Sequence, residues 1–391
     1  MKVKTVCMLS CLHSLYDDRI YWKESVSLQK YGYKVVHVGV SDQEMDLITP
    51  EGIRVIGIPR RKPSRFRLWR ILNEQIFSTK KSILNKLLAV ASSLQSDVYH
   101  FHDLQIIRIV PQLKKLPHSP YIIYDVHEPY PFLIASQKGN LLQRCCNYLY
   151  SIFIDYYEQH QSQFCNAIIA TEPIVANRFS RVIRPALVHI VFNYSDLSRC
   201  DVSQKCYDFI YCGGITINRG IFDMIEAIHA LHLSGVHATL LILGKFHESD
   251  TQCIVLKRIS DLSLNQFVTY IPAVDYQQVP QYYAQARFGL CLFRRTKENE
   301  TIMPIKIFEY IKMGLPVIGS HFGHIAKITT AHQTGLLVDP SDAVGVAQQM
   351  KRLLNDVDMQ DQFFRNCSIA SEKLNWLQSE MTLLDIYSRL A

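Results

Sequence analysis

The stretch KENETIMPIKIFEYIKMGLPVIGS, Lys297 to Ser320, divides into a loop, a short helix and a strand. Pro304 carries a backbone angle suited to a first helical position, where its missing N–H costs nothing. Ile305, Phe308, Ile311 and Lys312 follow at helical spacing, and Gly314 lets the helix stop in a left-handed turn. Leu315 to Ser320 then reads as a short buried strand. Glu309 is the odd residue, a carboxylate set off from the apolar stripe about a turn and a half into the helix. Helix N-termini attract anions. A pyrophosphate held there would leave Glu309 to accept hydrogen bonds from neighbouring sugar hydroxyls. The alternative is a solvated helix whose Lys306, Glu309 and Lys312 are ordinary surface charges.

The spacing Pro304-x-Lys306-x-x-Glu309-Tyr310, then Gly314-x-Pro316-Val317, resembles the nucleotide-sugar motif of retaining glycosyltransferases of family 4. The resemblance implies an α/β chain of the GT-B class: two facing Rossmann-like domains, with a C-terminal helix crossing back to the N-terminal domain. It also implies a nucleotide-sugar donor, a role for Glu309 on the donor ribose, and neither metal nor further cofactor. That family carries a second acidic residue eight positions earlier. Here Thr301 stands there with Glu298 and Glu300 beside it, and Glu300 is the first candidate for the sugar contact.

At 391 residues the chain is long enough for two domains, each with its own core. Its 48% hydrophobic and 20% charged content is that of a globular protein. No apolar run approaches the ~20 residues of a membrane span. The opening MKVKTVCMLSCLHS breaks at His13 and Asp17-Asp18, and so reads as a buried strand rather than a leader. A cytoplasmic protein at the inner face of the membrane is expected. Eleven cysteines without a CxxC pair indicate neither a disulfide framework nor a thiolate zinc site.

Charge is concentrated in RRKPSRFRLWRIL, residues 60–72. Arg60, Arg61, Arg65 and Arg67 interleave with Phe66 and Trp69, a pattern suited to anionic headgroups or a lipid pyrophosphate. Peripheral membrane contact and acceptor binding are therefore expected through residues 60–72, a solvated basic face being the alternative. No nucleic-acid-binding motif accompanies the segment, and no nucleic-acid partner is expected. Asn140 to Phe164 reads as a Tyr-rich apolar helix belonging to the core.

Short strands alternate with helical stretches throughout, which argues for parallel sheets flanked by helices. Ligands of such sheets bind at the carboxyl ends of the strands. Asp18-Arg19-Ile20 follows the first strand, and its charges either cap the helix and pair locally or meet a ligand. His100 and His102 share one strand face. They would suit a metal, with metal-dependent hydrolysis as a different reading, but the spacing shows no third and fourth ligand. Asp125-x-His127-Glu128 ends the next strand. The family resemblance turns it toward acceptor and sugar across the interdomain cleft, so His127 is placed nearest the chemistry. A core histidine bonded to Asp125 is the alternative.

Gly213-Gly214 opens a loop that reaches Arg219-Gly220. Paired glycines let backbone N–H groups approach phosphate, and an arginine further on reaches the same anion. This resembles the family's diphosphate loop. The family's further basic residue falls near Ile215, so Lys306, Arg294 or Arg295 is expected to take part of the charge. The candidate catalytic residues are thus His127, Arg219 and Glu309. Gly213, Gly214, Lys306, Glu300 and Thr301 join Arg219 and Glu309 in donor binding. Polar Ser198 to Lys205 marks the boundary. The domains are 1–197 for the acceptor, 198–370 for the nucleotide-sugar, and 371–391 as the returning helix. By the resemblance the acceptor is a hydroxyl of a saccharide or lipid-linked intermediate of cell-surface polysaccharide synthesis. A non-catalytic nucleotide-sugar or lipid-binding protein remains the alternative.

Overall fold

The computed structural model describes residues 4–59, 79–137, 139–180, 183–184, 187–200 and 204–389. The basic segment 60–72, with Arg60, Arg61, Arg65, Arg67 and Trp69, lies outside the described residues. The chain forms two compact units, one of Met1–Asn193 with Ser379–Ala391 and one of Tyr194–Gln378.

The first unit is built on β1 (Thr5–Leu9), β2 (Lys34–Ser41), β3 (Met45–Ile48), β4 (Arg54–Pro59), β5 (Val98–Phe101), β6 (Tyr121–Val126), β7 (Ala167–Ala170) and β8 (Val188–Ile190). They line up as β3-β4-β2-β1-β5-β6-β7-β8. Only the β3–β4 pair is antiparallel. The central strands are buried and mostly apolar, interrupted by His37, His100 and Asp125, because helices cover both faces of a parallel sheet. The order sets the carboxyl ends of β1, β5 and β6 side by side, and these ends carry the loop from Ser10, the pair His102-Asp103, and His127.

The second unit contains β9 (Tyr207–Cys212), β10 (Leu240–Gly244), β11 (Val268–Pro272), β12 (Ala286–Cys291), β13 (Val317–Ser320) and β14 (Gly335–Val338). Their order is β11-β10-β9-β12-β13-β14, all parallel. The loops after β9, β10 and β12 are neighbours, and Ile215 bridges to Phe246.

Two expectations are corrected. The unit boundary falls between Asn193 and Tyr194, ahead of the polar run 198–205, and the returning segment begins at Ser379 rather than 371. Contacts decide it: Asn193 accepts from Lys23 at 2.9 Å, whereas the Tyr194 ring packs on Phe308. The helix Leu141–Ser162 is not core. Only its inner edge, with Ser151, Ile154, Glu158 and Ser162, is buried.

Candidate functional site

In the second unit the chain leaves β9 through Gly213, whose φ of 126° disfavours any side chain. A Cβ on Gly213 would stand 3.3 Å from Lys306 Nζ. One on Gly214 would meet His247 Nε2 at 2.5 Å and Arg219 Nη1 at 2.8 Å. Three basic side chains therefore converge on the glycine turn. Gly244 ends β10 so closely against the turn that a Cβ there would lie 1.8 Å from the Gly213 carbonyl oxygen. His247 was not legible in advance; the signal was available in the loop after β10, which lies next to the loop after β9.

Arg219 sits at the end of a single helical turn, its N–H bonded to the Thr216 hydroxyl at 3.3 Å. Its Nη1 donates to the Gly214 carbonyl at 3.3 Å and its guanidinium lies over the Phe293 ring at 5.8 Å. Lys306 is the second residue of the helix Ile305–Met313, which starts one residue later than its proline suggests, since Pro304 is extended. Only 7% exposed, Lys306 holds Nζ 3.7 Å over Tyr211 and 5.2 Å from the centre of the same Phe293 ring. The ammonium has no hydrogen-bond partner among the described residues, and no described carboxylate lies within ion-pair distance of either cation. Cation–π contact contributes about 2 kcal/mol when desolvated. Burial of an unpaired ammonium costs several kcal/mol more. Two cations without a carboxylate partner beside bare backbone can hold an anion.

Glu309 is neither solvated nor facing out. It is 9% exposed, and its Oε2 accepts from Tyr283 Oη at 2.6 Å. Burial, then Cys212 and Glu309, push the Tyr283 phenol well above its ordinary pKa, so it stays a donor. Tyr310 donates toward the carbonyls of Ile210 (3.3 Å) and Leu290 (3.1 Å), and fixes this helix to β9 and β12. Arg294 is removed from the set of anion ligands, because it forms a bidentate pair with Asp223 at 2.7 and 2.8 Å. Glu300 is exposed and pairs with Arg295 at 3.5 Å. The Thr301 hydroxyl turns back on its own helix, to the carbonyls of Lys297 and Glu298.

In the first unit Asp17, not Asp18, caps the helical segment, accepting from the N–H groups of Arg19 (3.0 Å) and Ile20 (3.1 Å). Residues Asp18–Ser25 form a widened π-type turn, a geometry frequent at functional sites. Arg19 does not pair locally with Asp18. It crosses to β6, where Nε and Nη2 reach Asp125 Oδ2 at 2.9 and 2.8 Å; Nη2 lies 3.0 Å from Glu24 and Nη1 donates to the Val191 carbonyl. His127 Nε2 lies 3.1 Å from His102 Nδ1 and 3.6 Å from Asp125 Oδ2. The His13 ring packs 4.8 Å from that of His127, with Nδ1 3.3 Å from Asp17 and Nε2 3.4 Å from Asp103.

Burial opposes the charge on Asp125, yet Arg19 and the neighbouring histidines hold its pKa well below the ordinary value. Glu24 is pushed the other way by burial and by Asp125, more than Arg19 offsets. Burial lowers His100 to about 3 and takes His102 well down. His13 is raised in spite of its burial, by Asp17, Asp103 and Glu128. Glu24, His100, His102 and Asp125 offer ligand atoms within 4.8 Å of one another. The third and fourth groups invisible in the spacing are thus present. Arg19 already pairs both carboxylates, however, and the Tyr387 hydroxyl takes His100 Nδ1 at 2.9 Å. A divalent ion would enter against a guanidinium.

Comparison with known proteins follows the same division. Residues 206–356, all in the second unit, match the family described as "Glycosyl transferases group 1", and the Pro304–Val317 motif lies inside the match. A curated relative, N-acetyl-alpha-D-glucosaminyl L-malate synthase of Bacillus anthracis, is 27% identical over 137 residues; the match spans 35% of this chain and about a third (33%) of that protein. Sucrose-phosphate synthase from Thermosynechococcus elongatus superposes with a TM-score of 0.75 at 16% identity, covering 99% of each chain. Anabaena HepE, solved with UDP and glucose, gives 0.70 at 13% identity over 99% of this chain and 100% of its own. A glycosyltransferase from Rickettsia africae gives 0.67 at 12% identity, over 100% and 99%. At such identities the likeness establishes the fold, which is GT-B over the full chain.

Proposed function

We propose that the group 1 glycosyl transferase match in residues 206–356 marks the working site of an enzyme that moves a sugar from a nucleotide-sugar to a hydroxyl acceptor, with retention and without a metal. The observation that carries this reading is the pair Arg219 and Lys306, held on one aromatic ring beside a bare glycine turn, with no carboxylate among the described residues within ion-pair distance of them. The donor diphosphate fits there, and the same cations would stabilise it as it departs with the developing charge. His247 supplies the basic group that Ile215 lacks. Glu309 takes the ribose hydroxyls, with Tyr283 holding its Oε2.

Glu300 is favoured over Thr301 for the transferred sugar, because the Thr301 hydroxyl is spent on its own backbone. His127 serves the acceptor and sugar, and its orientation is set by His102 and by Asp125, which Arg19 holds ionised. The likeness to N-acetyl-alpha-D-glucosaminyl L-malate synthase and the UDP and glucose bound to HepE support a sugar nucleotide and a hydroxyl acceptor. We assign the acceptor to the saccharide or lipid-linked intermediates of cell-surface polysaccharide, handled at the inner membrane face with help from residues 60–72. No cofactor is required.

The missing acid at Thr301 favours one other reading, a protein that binds the donor and does not turn it over. A panel of UDP-, GDP- and ADP-sugars, scored for thermal stabilisation and for hydrolysis, tests both. Stabilisation with slow hydrolysis that Arg219→Ala abolishes supports the transferase. Stabilisation with no hydrolysis or transfer supports the binding protein, and no stabilisation by any donor refutes both.

A further inference from the structure

Asn140 opens the helix Leu141–Ser162 through a reciprocal cap with Gln143, at 2.9 and 3.0 Å. One edge of the helix is anchored: Glu158 accepts from Tyr124 Oη at 2.7 Å and pairs with Arg178. The opposite face is apolar and open. Leu141, Leu142, Tyr148, Leu149, Phe153 and Tyr156 are each more than half exposed, Leu141 by 77%. Single exposed apolar residues need no explanation, but a contiguous row at helical spacing does. Between Leu141 and Ile154 there is no carboxylate, and Arg144 is the sole charge. Asp155, the first acid, is neutralised by Arg178 at 2.7 Å.

We infer that this face seats in the headgroup region of an anionic lipid bilayer. A bilayer needs no complementary surface, because each inserted side chain gains separately. Tyrosine and phenylalanine beside leucine are the residues that settle between headgroup and acyl chain. The lone Arg144, the absence of acids along the row and the chain's net charge of +7 suit a negative surface. The inference goes beyond the transfer reaction and stands whether or not the chain turns a donor over.

The test uses the full chain and flotation with vesicles of phosphatidylcholine, with and without about one-third phosphatidylglycerol. The wild type is expected to float with the anionic vesicles. Leu141→Gln with Leu142→Gln, and separately Leu149→Gln with Phe153→Ser, should each lower the bound fraction roughly tenfold or more. Melting temperature should not move, because these side chains face solvent; if one pair disturbs folding, the other reads the face alone. A wild type that stays unbound overturns the inference, as do variants that float like the wild type, which would leave another surface responsible. A wild-type dimer in sedimentation that these substitutions dissociate would assign the face to a second copy instead.

Discussion

Replacing Lys306 by methionine should change stability and ligand binding in opposite directions. The ammonium is 7% exposed and lacks a hydrogen-bond partner among the described residues, so its charge is desolvated without repayment in the ligand-free chain. The cation–π contact at 3.7 Å over Tyr211 offsets about 2 kcal/mol of a penalty of several kcal/mol. Methionine keeps the length and the contact with the ring. The free Lys306→Met chain should therefore be as stable as wild type or more stable by roughly 1–2 kcal/mol. Binding should suffer instead, since a charge-assisted hydrogen bond contributes ~1.5–3 kcal/mol, about 10–150-fold in affinity. With a nucleoside diphosphate at 100 times the wild-type Kd, wild type gains ~2.7 kcal/mol; a hundredfold weaker variant gains only ~0.4 kcal/mol. Thermal melts with and without UDP, GDP or ADP, checked by calorimetric titration, read both numbers. A variant that is less stable when free and stabilised by the nucleotide as fully as wild type would refute the anion-site argument.

Glu309→Gln leaves an acceptor for Tyr283, so the melt should stay within about 1 kcal/mol while donor affinity falls roughly 10–100-fold; Glu309→Ala should add ~1–3 kcal/mol of instability from an unsatisfied phenol. Equal binding and turnover in both variants would argue against the ribose role. His127→Ala should cut transfer ~10²–10⁴-fold and leave nucleotide binding in the other unit untouched, as titration of donor product against each chain will show. Acid should destabilise the first unit. His100 and His37, lowered by burial to about 3 and about 4, and His102, also lowered, are neutral when folded, whereas the unfolded chain protonates them near 6.5. Their stabilisation is complete above that pH and is lost as pH falls toward the folded values. Glu24, raised, has the opposite sign, gaining stability as pH falls toward its unfolded value. A net of two groups between pH 6.5 and 4.5 gives a loss of order 2 kcal/mol per pH unit; a flat or rising melt on acidification would contradict it.

The grouping of residues around the glycine turn was the more legible part of the proposed site, for a local reason. Gly213-Gly214, Arg219, Lys306 and Glu309 lie in loops and a helix that directly follow strands, and a parallel sheet gathers such loops at one edge whatever the details. Gly314 likewise stops its helix with φ of 74°. What spacing could not show were partners far away in sequence. Arg294 looks free until Asp223, 71 residues earlier, closes on it. Arg19 looks like a local cap until Asp125 arrives on a strand 106 residues later. Tyr283 and Glu24 carried no motif at all. The helix Leu141–Ser162 misled because leucine and tyrosine occupy its outer face as well as the inner, and periodicity does not say which side meets the sheet.

The last turns of the chain have a temporal consequence. Leu383, Ile386 and Tyr387 are buried in the first unit, and the Tyr387 hydroxyl closes onto His100. On the ribosome, residues 194–378 must be made between the two parts of that unit, a wait of about 10–40 s at ~5–20 residues per second. For that interval the nascent N-terminal half carries an uncovered apolar seam, whereas the second unit can complete itself first. A stop codon just before Ser379 would make the pause permanent, and should yield chains that chaperones retain while their second unit is already folded.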